Sequence, residues 1–141
     1  EPIRKELGAW TKLTSLFLRS NKLTDPIPPE MGNLSAPQRL EFQNNQLSGP
    51  IPSEVGNFRE LKTLWLSGNQ LTGAIPALLG ALNELTCLNL SKNQLSGYIP
   101  EELGSLSKLG VLSLNNNELT GRTHVPQSKT RHPNSNTSIP T

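Results

Sequence analysis

Residues 71–95 read LTGAIPALLGALNELTCLNLSKNQL, and residues 95–119 read LSGYIPEELGSLSKLGVLSLNNNEL, so one set of letters returns after 24 positions. Extending that period along the chain superposes Leu13, Pro37, Leu61, Leu85 and Leu109, then Leu16, Leu40, Leu64, Leu88 and Leu112. A third column holds Leu18, Phe42, Leu66, Leu90 and Leu114. Asn21, Asn45, Asn69, Asn93 and Asn117 form a fourth without exception, and Leu23, Leu47, Leu71, Leu95 and Leu119 a fifth. The pattern is LxxLxLxxNxL, and only Pro37 and Phe42 break the leucine rule. A fixed period of this length signals stacked coils, each burying a narrow stripe against its neighbours.

Within a unit, L-x-L alternates with period 2 and predicts a short strand with one face buried, so successive copies form a parallel sheet. The asparagine falls where the chain turns, and its amide can satisfy backbone groups that a tight coil would otherwise bury unpaired. The second half of each unit reads LTDPIPPEMG, LSGPIPSEVG, LTGAIPALLG or LSGYIPEELG. Proline after isoleucine suits the first position of a short helical turn, and the later glycine suits its exit. The expected unit is therefore strand, turn, short 3₁₀-like piece and return. Ile27, Ile51, Ile75 and Ile99 should point inward beside the leucines. At roughly 1.5 to 3 kcal/mol per buried side chain, five or six per unit offset the ordering entropy of so thin a coil.

Three segments follow. Residues 1–12 fit the end of a preceding repeat, with Ile3, Leu7, Gly8 and Trp10 in the columns of Ile27, Met31, Gly32 and Leu34, which makes Trp10 a core candidate. Residues 13–121 carry about four and a half repeats. After Gly121, Thr123 and His124 stand where isoleucine and proline belong, and 122–141 reads as a disordered basic tail rich in Ser, Thr, Asn and Pro.

The 33% hydrophobic content is modest for a compact two-layer domain but sufficient for stacked repeats. Thirteen basic and eleven acidic side chains give +2, and Arg122, Lys129 and Arg131 supply three of the positive charges, leaving a nearly neutral body. Nucleic-acid binding, which needs Lys and Arg clustered on one face, is not expected. No run approaches the roughly 18 apolar residues of a membrane span. A single cysteine, Cys87, forms no intramolecular disulfide, so compartment is left open.

On these residues the chain resembles the plant-type leucine-rich repeats of receptor-kinase ectodomains, polygalacturonase-inhibiting proteins and related algal arrays. The resemblance covers residues 1–121. It implies a right-handed α/β solenoid with a parallel β-sheet on the concave face, short 3₁₀ segments and turns on the convex face, and a partner on the concave sheet. It favours an extracellular or plasma-membrane-associated location, although the paired cysteines that commonly cap secreted members are missing here. Asp25 replaces the usual glycine of L-x-G-x-I-P.

With the leucines inward, three exposed columns remain: Ser15, Arg39, Thr63, Cys87, Val111; Phe17, Glu41, Trp65, Asn89, Ser113; and Arg19, Gln43, Ser67, Ser91, Asn115. These vary, which is how a repeat scaffold encodes a binding preference. Phe17 and Trp65 flank Glu41 and sit about 10 Å apart at about 4.8 Å per strand. With Arg19, Arg39 and Asn89 they form the candidate partner-binding set, a mixture of aromatic and arginine side chains typical of binding hot spots. Lys62 is expected nearby.

No metal or cofactor site is expected, since His124 and His132 lie in the tail without ligands at metal spacing. Cys87 has no His or cationic neighbour in its own column to activate it. Neither a Gly-rich phosphate loop nor a nucleophile with a paired acid is present, so the expected function is non-enzymatic recognition of a protein or peptide. A purely structural array is the alternative. A third reading assigns Thr24, Ser48, Thr72, Ser96 and Thr120, a regular hydroxyl column read as facing a turn, to water ordering on an ice surface. Asn33, Asn89 and Asn136 head N-glycosylation sequons, and a glycan on Asn89 would obstruct the concave face.

Overall fold

The computed structural model describes residues 1–121, so the tail assignment and its two histidines lie outside the described residues. The strands are β1 (Ser15–Phe17), β2 (Thr24–Pro26), β3 (Arg39–Glu41), β4 (Gln46–Pro50), β5 (Thr63–Trp65), β6 (Gln70–Ala74), β7 (Cys87–Asn89), β8 (Gln94–Gly97), β9 (Val111–Ser113) and β10 (Glu118–Leu119). Odd-numbered strands form one parallel sheet in the order β1-β3-β5-β7-β9, and even-numbered strands a second in the order β10-β8-β6-β4-β2. The first keeps the 24-residue register throughout: Leu16, Leu40, Leu64, Leu88 and Leu112 are successive partners. Each coil closes through a five-residue 3₁₀ segment, at Lys5–Ala9, Pro29–Asn33, Ser53–Asn57, Ala77–Ala81 and Glu101–Ser105.

The second sheet was not legible as strand. Its residues carry the L-[TS]-x-x motif, in which one backbone position per coil takes a left-handed conformation: Asp25 at φ 66°, Gly49 at 69°, Gly73 at 76° and Gly97 at 78°. Such a residue bends the strand and breaks the extended pattern by which strands are recognised, so the segment looks like a turn. Asp25 adopts the glycine geometry, so the altered first motif keeps its conformation.

The core is one stack of side chains running the length of the coil. Ile27, Ile51, Ile75 and Ile99 are all buried, as are the leucine columns of the middle coils, with Pro37 and Phe42 filling leucine places. Coils approach closely at Gly8, Gly32, Gly56 and Gly80 in the first four 3₁₀ segments: a Cβ on Gly80 would lie 2.5 Å from the Glu102 carbonyl oxygen.

Trp10 is not core. It is 58% exposed, whereas Leu34, Phe58, Leu82 and Leu106 in the same column are at most 3% exposed. Among the described residues the first coil packs only against the coil that follows it, so its stripe is half covered there. Leu7, Leu13, Leu18 and Leu23 are partly buried in the same coil.

The asparagines stitch the coils together. Asn69 accepts from Leu47 N at 3.0 Å through Oδ1 and donates from Nδ2 to the carbonyls of Phe42 (3.1 Å) and Leu66 (3.0 Å). Asn45, Asn93 and Asn117 make the equivalent bonds one coil along. Asn21 donates to Leu18 O and Arg19 O within its own coil. The residue before each asparagine turns left-handed at Ser20, Asn44, Gly68, Lys92 and Asn116, with φ between 54° and 66°. That turn aims the amide back along the stack.

Candidate functional site

The odd-numbered sheet presents the variable columns, and the structure divides them into two zones. At its β1–β5 end stand Phe17, Arg19, Arg39, Glu41 and Trp65. Phe17 faces Glu41 across β1–β3, and Glu41 faces Trp65 across β3–β5. Phe17 is 50% exposed, a large apolar ring left in solvent.

Glu41 departs from expectation: it is not an exposed acidic contact but a buried one, 1% exposed. Arg39 donates from Nη2 to Glu41 Oε1 at 2.7 Å, and Arg19 from Nη1 to Oε2 at 3.4 Å. The two arginine side chains remain 53% and 62% exposed, so they roof the carboxylate while offering further N–H groups outward. Arg39 also lies over the Phe17 ring, 5.2 Å from its centroid, which fixes the planar cation against an aromatic face. Gln43, Ser91 and Ser113, also expected in the open, are buried for the related reason that side chains on the inside of a coil crowd their neighbours 4.8 Å away. Lys62 immediately precedes β5, and its charge adds to the 2.8 Å Lys108 ion pair that chiefly holds the Glu84 carboxyl below its usual range.

Trp65 is half-buried, and its indole Nε1–H donates to Cys87 Sγ at 2.8 Å. The Cys87 thiol is pushed above its ordinary value by burial, with the Glu41 charge adding to the effect and the Trp65 bond opposing it. It is therefore a protonated acceptor at neutral pH rather than a nucleophile.

The second zone, at the β7–β9 end, is polar. Asn89 accepts through Oδ1 from both Ser91 N (3.1 Å) and Ser91 Oγ (2.7 Å), so the sequon side chain is held down against its own strand. The structure thus brings Phe17, Arg19, Arg39, Glu41 and Trp65 into one continuous patch, and places Asn89 at the border of a separate hollow. Among the described residues, no group of three or more His, Cys, Asp or Glu is arranged to hold a metal, and no helix is long and apolar enough to cross a membrane.

Leucine-rich repeat family models match residues 12–34, 37–58 and 59–119. The chain is a plant-type leucine-rich repeat protein. Among solved structures, it is 45% identical over 90% of its length to the leucine-rich repeat ectodomain of the Arabidopsis thaliana receptor kinase GASSHO1/SCHENGEN3 in complex with CASPARIAN STRIP INTEGRITY FACTOR 2, with a TM-score of 0.85. It is 36% identical over 86% of its length to the Arabidopsis receptor kinase HAESA in complex with the peptide hormone IDA and the co-receptor SERK1, with a TM-score of 0.77. A plant ice-binding protein shares the fold at a TM-score of 0.79, with 34% identity over 85% of this chain. The chain spans only 15%, 21% and 39% of the length of these three proteins. No curated protein matches it by sequence.

Proposed function

We propose that this leucine-rich repeat array is a non-enzymatic recognition module that binds a protein or peptide across its concave, odd-numbered sheet. The observation that carries the reading is the exposed Phe17 ring clamped by Arg39 beside the outward N–H groups of Arg19. An aromatic anchor with pre-oriented arginines is what binding energy concentrates on, because little side-chain entropy remains to be lost. The similarity to receptor ectodomains solved with peptide partners supports the same reading and an extracellular or membrane-associated setting. The test immobilises the full chain against an extract of its source, beside a Phe17→Ser, Trp65→Ser double variant of verified fold. Capture of one partner that cross-links to the concave strands and is lost by the variant supports recognition. Equal capture by both, or none by either, returns the array to a purely structural role.

A second reading rests on the even-numbered sheet. There Thr24 stands opposite Gln46, Ser48 opposite Gln70 and Thr72 opposite Gln94, so hydroxyls and amides alternate across a regular parallel face. With the likeness to a plant ice-binding protein, this array suits a surface that orders water. Thermal hysteresis or inhibited ice recrystallisation, abolished by Thr72→Tyr, supports it; their absence removes it.

A further inference from the structure

Between the ends of β5, β7 and β9 and the left-handed turns that follow, the concave face sinks into a hollow of about 470 Å³. Ser67, Asn89, Ser91, Ser113 and Asn115 line it, and Lys92 is the one charged residue in the lining. The lining holds neither a carboxylate nor an aromatic ring, so it offers little to an apolar anchor and a single counter-charge to an anion. Hydroxyls and amides both donate and accept, and so do the hydroxyls of a sugar.

One buried polar atom bears on what fills the space. Ser113 lines the hollow and is 2% exposed, and its Oγ, closed to solvent in the free protein, has no hydrogen-bond partner. Gln43, in the column of Ser67, Ser91 and Asn115 but outside the lining, also has an unpartnered Oε1. Unpaired buried polar atoms are uncommon and mark places where a water or ligand completes the bonding. Trp65 lies outside the lining but is the register partner of Asn89, which is part of it. Its Nε1–H is already committed to Cys87, which leaves the ring as apolar surface.

We propose that the hollow is a subsite for a neutral sugar chain. Its hydroxyls bond the amides and hydroxyls of the lining, and Ser113 Oγ once that side chain turns out to meet them, while one sugar ring packs against Trp65. The hollow is separate from the Phe17–Arg39 pair, with Trp65 bordering both, and sugar binding there does not depend on that pair holding a protein. The sugar can be a free oligosaccharide or a glycan carried by a glycoprotein, and both present the same hydroxyl chemistry.

The test uses the full chain produced without glycosylation, in a Trp10→Phe background so that Trp65 alone reports by fluorescence. It is titrated with cellohexaose, laminarihexaose and mannohexaose, with trigalacturonate as the acidic comparison, and with a high-mannose glycoprotein before and after removal of its glycans. Saturable binding of a neutral hexaose identifies a free oligosaccharide source, and binding of the glycoprotein that disappears with its glycans identifies a carried one. Ser113→Ala separates this site from a structural hydroxyl. It should weaken binding about tenfold, the loss of one or two hydrogen bonds, while leaving thermal stability unchanged or raised, because the removed hydroxyl has no partner in the free protein. Phe17→Ser should leave sugar binding intact. No response to any neutral probe at about 10 mM, tighter binding of trigalacturonate, or binding indifferent to both Ser113→Ala and Asn115→Ala overturns the proposal; a hollow that holds only water gives the first of these.

Discussion

Arg39 and Glu41, two residues apart on one strand, form a 2.7 Å ion pair in which the acid is buried and the base is roughly half exposed. The pair turns an acidic position of the concave column into a fixed support for two cations. Its asymmetry decides how substitutions act. Removing Arg39 leaves a buried carboxylate with only the longer bond to Arg19, and losing a hydrogen bond to a charged group costs about 1.5 to 3 kcal/mol. Urea denaturation of Arg39→Ala should show a loss in that range. Glu41→Gln in the Arg39→Ala background should recover part of it, since the neutral amide is cheaper to bury. An Arg39→Ala protein as stable as the parent would show that the carboxylate is solvated by other means.

The asparagine column predicts a graded series. Asn69→Ala strands the buried Leu47 N–H and takes one of two asparagine donors from each of the Phe42 and Leu66 carbonyls, so about 1 to 3 kcal/mol should be lost. Asn21→Ala removes bonds to exposed carbonyls only and should cost under about 1 kcal/mol. Equal losses at the two sites would disprove the cross-coil role.

Asp25 holds φ 66° at a position where the next three coils place glycine. Asp25→Gly should therefore stabilise the chain by about 0.5 to 1 kcal/mol, relieving left-handed strain at the expense of some unfolded-state entropy. The reverse change, Gly73→Ala, should lose about 1 to 2 kcal/mol through its dihedral alone, because an added Cβ would meet only Pro50 Cβ at 3.8 Å. Thermal melts of the two variants moving in opposite directions is the expected outcome.

Cys87 supplies a pH dependence. Burial raises the folded thiol above its ordinary value of about 9, so above that pH the unfolded chain gives up a proton that the folded chain keeps. The unfolded state then binds fewer protons, and stability falls as pH rises through about 9. Below pH 8 the contribution is fully present. Cys87→Ala should flatten the alkaline limb of the stability profile. Alkylation by iodoacetamide at pH 8 should be at least about tenfold slower in the folded chain than in urea; equal rates would mean the thiol is not shielded.

Period, the strands of the first sheet and the asparagine ladder could be read from letters alone, because a stacked coil repeats one local environment and every buried position needs the same residue type. Leu64, Ile75 and Asn69 each announce their place by recurring. Position in the stack carries no such signature. Trp10 shares a column with Leu34 and Phe58 but lies on a coil with a neighbour on one side, and burial there depends on what is stacked, not on the residue. The second sheet stayed hidden because Gly49, Gly73 and Gly97 take left-handed φ inside its strands, and glycine reads equally well as a turn. Glu41 and Ser113 look like exposed strand residues by alternation. Whether each one reaches water is decided by what crowds over it from adjacent coils. Two arginines cover the first, and the second is left buried without a partner. Sequence period therefore determined which residues build the scaffold. Three-dimensional packing alone decided which surface residues are anchored and which polar atoms remain unsatisfied, since both depend on how neighbouring coils, linked by bonds 22 to 27 positions apart, come together.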